Sequence, residues 1–147
     1  MTMVPEALSI VQPDAACCGI TETLRIARMA ERYGVDLCPH SWQNGLMTMA
    51  NAQVVAAIPN TRMLELCIIQ GPLQWAILAA PPAIRDGFLE LPAGPGLGVE
   101  LAGGLEARYP PISTAPTACP SCAKRRLQAH SAIVPETWIM GLIRVIP

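Results

Sequence analysis

The chain has 147 residues, enough for one compact domain and too few for two of ordinary size. It is 52% hydrophobic and 14% charged with a net charge of −1, which excludes a disordered chain and gives no electrostatic reason to expect nucleic acid or an anionic membrane as partner. Aromatic residues make up only 4%, so the apolar load is aliphatic, a composition suited to helices packed on buried strands.

Residues 1–12 lack the basic and apolar regions of a signal peptide. The apolar stretches 46–59 and 73–84 are interrupted by Asn51 and Gln53, or by Pro81 and Pro82, and neither reaches the roughly 20 residues of a spanning helix. The expected location is the cytoplasm. Of six cysteines, Cys17 and Cys18 are adjacent and Cys38 and Cys67 lie in apolar runs, so these four are expected as buried, reduced thiols. Cys119-Pro-Ser-Cys122 is a lone CxxC followed by His130. A structural zinc site needs four ligands, usually from two such pairs, and a second pair is absent.

In chain order, residues 7–12 form a short apolar run that ends at Pro13-Asp14, as a strand buried on both faces would. Gly19 breaks the chain, and Thr21 is expected to cap a helix running to about Tyr33. Leu24, Ile26, Ala27 and Ala30 give it an apolar stripe, Arg25, Arg28, Glu31 and Arg32 face water, and Gly34 stands where a C-cap belongs. A second strand at 35–38 ends at Pro39-His40, and a second helix runs from about Asn44 to Ile58, closed by Pro59-Asn60. Residues 63–69 are a third strand. The cadence predicts an α/β fold of βαβ units on a parallel sheet.

After Gln70 the character changes: Pro81-Pro82, Gly87 and the turn-rich stretch 92–98 surround a short strand near 88–91, and this segment is expected to pack over a neighbouring layer. A boundary falls near Tyr109. Residues 110–147 are rich in Pro, Ser, Thr and Ala, carry the solvated charge run Lys124-Arg125-Arg126, and end in an apolar stretch from Trp138 with no evident partner, so the tail is expected to be irregular and poorly ordered.

Asp14 and His40 stand at the C-terminal ends of successive strands, and Glu65 lies in the third. In a parallel α/β barrel these ends converge on the ligand, and strands about 4.8 Å apart let their end residues touch. An Asp beside a His fixes the imidazole tautomer and raises the ring's basicity, as a general base requires, and a third carboxyl can grip a substrate oxygen. Plainer readings exist: Asp14 as the cap of a turn, Glu65 as a surface partner of Arg62, Trp42 as ordinary packing rather than pocket lining. Ser41 follows His40, but adjacent residues of an extended strand point to opposite faces and no nucleophile elbow is present, which argues against a Ser–His–Asp hydrolase.

Val11-Gln-Pro-Asp14, Cys18-Gly-Ile-Thr-Glu22, Pro39-His-Ser-Trp42, Ile58-Pro-Asn60 and Leu64-Glu65 together resemble the last three barrel units of the mandelate racemase type of enolase-superfamily enzyme. Asp86-Gly87 and the segment 92–101 resemble the stretch by which those enzymes return to their capping domain. The match runs from about Leu8 to Tyr109, and the tail beyond does not share it. The resemblance implies a partial TIM-type (β/α) barrel: three βα units over residues 1–72, a loop-rich return segment over 73–109, and the unrelated tail 110–147. It implies that His40 removes or returns the proton alpha to a carboxylate, that Asp14 orients it, and that Glu65 binds the substrate and stabilises an enediolate-like intermediate. The substrate would be a small carboxylate or sugar acid, the reaction a dehydration or racemisation, the cofactor Mg2+, and the assembly a homo-oligomer. The sequence departs from the family in having Cys18 where a Gly is usual and in lacking the earlier strands that bear the metal ligands, since only thirteen residues precede Asp14 and a complete barrel takes about 250. The expectation is therefore a C-terminal portion inactive as an isolated chain, with a truncated or frameshifted remnant as the alternative.

Overall fold

The computed structural model describes residues 8–61, 63–67, 71, 73–110 and 140–146. Strand β1 (Ile10–Val11) leads into helix α1 (Ala15–Arg32), strand β2 (Asp36–Leu37), helix α2 (Gly45–Ala57) and strand β3 (Leu64–Cys67). β1 and β2 pair in parallel, and Leu37 extends the sheet through a parallel bridge to Thr61. The expected alternation of strands and helices is therefore present, with shorter strands than the apolar runs suggested; the parallel pairing holds for β1 and β2, while β3 lies in a second sheet.

Helix α1 begins earlier than the sequence implied. Its N-cap is Asp14, whose side chain accepts from Ala16 N at 2.8 Å, and not Thr21. A first turn over residues 15–18 is followed by a kink at Gly19, where φ of 80° is a conformation open to glycine at little cost, and the helix then resumes. Cys17 and Cys18 sit in that first turn and are exposed, and Cys38 and Cys67 are half-buried, so the expectation of four buried cysteines is corrected, although all four are free thiols. The far end of α1 closes with Gly34 N–H donating to Glu31 O and Val35 N–H to Ala30 O, both at 3.0 Å, a Schellman motif that turns the chain into β2.

α2 is capped by Asn44, whose side chain accepts from Met47 N. Its first residue, Gly45, lies against the turn at 73–77: a Cβ there would stand 2.0 Å from Gln74 O and 2.9 Å from the Trp75 ring. That close approach lets the segment after β3 fold back over α2. Met49, Ala52 and Val55 of α2 join Leu64, Leu78 and Leu89 in one buried cluster, so the loop-rich segment packs over α2 and β3.

Within that segment, β4 (Ile84–Arg85) and β5 (Phe88–Glu90) form a hairpin through Asp86-Gly87, both at positive φ as a type I′ turn requires. The expectation for the tail needs correction at its end. Residues 140–146 form a further strand, β6 (Met140–Ile146), antiparallel to β3 and parallel to β5, giving a four-stranded sheet in the order β3-β6-β5-β4. Open sheet edges recruit apolar strands, and the apolar C-terminal residues find their partner there. Residues 111–139, with Cys119, Cys122, Lys124–Arg126 and His130, lie outside the described residues. The described residues from Gly104 to Pro110 belong to a second unit and include the single-turn helix α3 (Leu105–Arg108).

Among the described residues no helix is long and apolar enough to cross a membrane.

Candidate active site

The parallel register builds the site. Ile10 lies opposite Asp36 and Val11 opposite Leu37, and the ladder continues with Cys38 N–H donating to Val11 O and His40 N–H to Pro13 O, each at 3.0 Å. The constant offset of 26 residues carries Asp14 to the position beside His40, where Asp14 Oδ2 stands 3.5 Å from His40 Nδ1. The Asp14 side chain is 9% exposed and that of His40 44%, so the pair is anchored inside and opens outward at the imidazole. One Asp14 oxygen caps α1, and the other faces the histidine.

Glu65 is 1% exposed, which removes it from the protein surface. Its carboxyl accepts from the Trp42 indole N–H on one oxygen and from Gln12 Nε2, at 3.5 Å, on the other. Trp42 also stacks on His40, ring centroids 5.4 Å apart and planes inclined by 24°. Trp42 therefore joins the two halves of the predicted site: its face lies against the histidine and its edge donates to the glutamate. Ser41 is buried and its hydroxyl donates to Thr48 Oγ1 at 3.2 Å, an engagement with the core.

Around these residues the sequence left several polar groups unread. Gln43 Nε2 lies 3.4 Å from Asp14 Oδ2, and Gln12 reaches Glu65 from β1's end. Burial, and next the Glu65 carboxylate, push the Cys38 thiol above its ordinary pKa of 9.0, against a smaller lowering by the Glu65 backbone N–H. Gln12 and Cys38 directly follow β1 and β2 and Gln43 lies in the loop before α2, and in sequence such residues look like the start of any loop.

Among the described residues, no group of three or more His, Cys, Asp or Glu side chains is arranged to hold a metal ion. Asp14, His40 and Glu65 thus do not by themselves offer a divalent cation a site. A groove of about 480 Å³ bounded by Ala79–Ala83, Glu90–Pro92 and Gly98–Glu100 includes none of them.

Two curated relatives cover this part of the chain. D-galactarolactone cycloisomerase of Agrobacterium fabrum is 34% identical over 104 residues, and D-xylonate dehydratase of Haloferax volcanii is 38% identical over 100. These alignments take in 65% and 66% of this chain but only 28% and 24% of the relatives, so the chain spans about a quarter of their length. A crystal structure of a Burkholderia xenovorans protein designated an L-alanine-DL-glutamate epimerase, bound to magnesium and fumarate, superposes with a TM-score of 0.66 at 27% identity, over 74% of this chain and 27% of that one. The family model described as enolase C-terminal domain-like matches residues 3–104, which hold both paired strands, α1, α2, Asp14, His40 and Glu65. With its mixed α/β architecture of TIM-barrel type, the chain belongs to the enolase C-terminal domain-like family, whose members similar to it include sugar-acid dehydratases and proteins of the mandelate racemase kind.

Proposed function

We propose that this chain is the C-terminal portion of a magnesium-dependent enolase-superfamily enzyme that abstracts the proton alpha to a carboxylate, as a sugar-acid dehydratase or racemase, and that it is inactive alone. The observation that carries the reading is the Asp14–His40 pair at the ends of two parallel strands, buried at the carboxylate and open at the imidazole. A carboxylate only accepts hydrogen bonds, so His40 Nδ1 donates to Asp14 and the Nε2 lone pair faces outward, free to take a proton. Glu65, held by Trp42 and Gln12, binds an oxygen of the substrate. The three βα units stand for the last three of a barrel, and residues 73–109 for its return to a capping domain.

The relative bound to magnesium and fumarate supports a divalent ion in the completed enzyme, where it would neutralise charge developing on the substrate carboxylate. Its ligands would come from the earlier barrel strands of the completed enzyme, since no group of three His, Cys, Asp or Glu among the described residues is arranged to hold it. The substrate is a small hydroxy acid, in line with the dehydratases of xylonate, arabinonate and gluconate among the relatives. The enzyme works in the cytoplasm as a homo-oligomer without nucleic acid or membrane partners.

One observation favours a second reading, a non-catalytic remnant. β6 lies beyond the family match and runs antiparallel along β3, on an edge that a closed barrel of parallel strands would need for its next strand. Translating the genomic DNA directly upstream of the Met1 codon in all frames separates the two. Barrel strands with three spaced acidic residues and a Lys-x-Lys there support the enzyme; DNA without them leaves the remnant.

A further inference from the structure

Asn51 is 0% exposed on α2, between apolar neighbours such as Ala50, Ala52, Val54 and Val55. A buried amide is costly to leave without partners, and Leu at this position would satisfy both helix propensity and core packing. The Asn51 amide is engaged, and every bond it makes goes to the segments that carry the dyad. Oδ1 accepts from Ala15 N at 3.1 Å, while Nδ2 donates to His40 O at 2.9 Å and lies 3.5 Å from Asp14 Oδ1. The orientation of the amide is fixed, because Ala15 N–H can only donate and the His40 carbonyl can only accept.

We propose that Asn51 is the positioning residue of the Asp14–His40 pair, a single amide on α2 that assigns a separate task to each oxygen of Asp14. With Ala16 N at 2.8 Å and Asn51 Nδ2 both on Oδ1, that oxygen is committed to the helix cap, and Oδ2 faces His40 Nδ1, with Gln43 Nε2 also beside it at 3.4 Å. The same Nδ2 group holds the His40 backbone, so both partners are referenced to one rigid helix. The consequence is a tautomer: His40 carries its proton on Nδ1 and keeps Nε2 as the free base. The inference rests on the dyad reading above, but this arrangement of protons is readable without turnover.

The test is nitrogen NMR of the full chain labelled in histidine, in a His130→Gln background that leaves His40 as the sole histidine of the two. With the imidazole neutral, the parent is expected in the Nδ1–H tautomer. Asn51→Asp retains an acceptor for Ala15 N but loses both donor contacts, and Asn51→Leu loses all three; each is expected to move His40 predominantly to the Nε2–H form preferred by free imidazole. A folded variant that keeps the Nδ1–H tautomer overturns the proposal, as does an Nε2–H parent. If neither variant folds, the parent decides: a coupling through the hydrogen bond between Asn51 Nδ2 and the His40 carbonyl carbon is expected, and its absence counts against the proposal. Failure of alpha-proton chemistry in a completed enzyme would leave these spectra unchanged, so the two claims fail separately.

Discussion

Asp14 Oδ2 and His40 Nδ1 meet at 3.5 Å across two parallel strands, and the 26-residue offset between them is the register offset of the strands themselves. The site is thus a product of sheet pairing: anything that shifts β1 against β2 by one residue would turn these side chains to opposite faces. The capping of α1 by the same carboxylate makes the dyad part of the fold's local stability as well. Replacing Asp14 by Ala should therefore cost about 1 kcal/mol through the lost cap. Asp14→Asn should cost less, because the amide oxygen still caps, while it loses the carboxylate that sets the histidine's tautomer. Thermal melts of the two variants check the ranking, and equal losses would contradict the capping role.

Close packing at Gly45 makes a sharper prediction. A methyl group there meets the Gln74 carbonyl oxygen at 2.0 Å, so the turn at 73–77 must move away from α2. Gly45→Ala should destabilise the chain by at least about 1–3 kcal/mol. Gly71→Ala, with nothing among the described residues within 4 Å of the added carbon, serves as the control. Denaturant midpoints for the two variants give the comparison.

The Cys38 thiol predicts a pH dependence. Its folded pKa is raised by burial and by Glu65 above the ordinary 9.0, so the folded protein holds that proton more tightly than the unfolded chain. Stability from this group is complete below the unfolded thiol's pKa and falls as pH rises from there through the folded value. The wild type should lose more stability than Cys38→Ala on going from neutral pH to alkaline pH above that value. Identical pH profiles would contradict the environment described for Cys38. Thiol-labelling rates offer a second check: the exposed Cys17 and Cys18 should react well before Cys38.

β6 predicts a protected edge. Leu64 to Cys67 pair with residues 143 down to 140, so the β3 amides facing β6 should exchange slowly with solvent in the full chain. Ending the chain at Ile139 should speed their exchange and promote self-association through the exposed edge. Unchanged exchange after truncation would contradict the pairing of β6 with β3.

Much of this was legible in the sequence because it depends on local rules. The apolar runs before Asp14 and His40, the Asn44 cap and the Gly34 terminus all act through nearby residues, and each stands within a few positions of its expected place. The start of α1 was misplaced because Asp14 and Thr21 are both good caps, and nothing in sequence shows that a helix will run through Gly19 with a kink. β6 was missed because its partners in β5 and β3 lie more than 50 residues away, and an apolar ending has no local signal for pairing with either strand. Within the site, Asp14, His40 and Glu65 were singled out by their places at strand ends together with the family resemblance, whereas Asn51 was read only as an interruption of an apolar helix. The signal in the sequence was a lone Asn among Ala and Val in an apolar helix, which must find polar partners once buried; the structure shows that these are the segments of the dyad.

The central claim, that His40 is the base, is tested most directly in a completed barrel. Residues 3–104 would replace the matching part of the Haloferax volcanii D-xylonate dehydratase, and incorporation of solvent deuterium at the substrate's alpha carbon would be followed with xylonate and related sugar acids. The account predicts exchange in the graft and a loss of at least about 100-fold in the same graft carrying His40→Asn, the scale of a missing general base. A folded His40→Asn graft that exchanges the alpha proton as fast as its parent would contradict it.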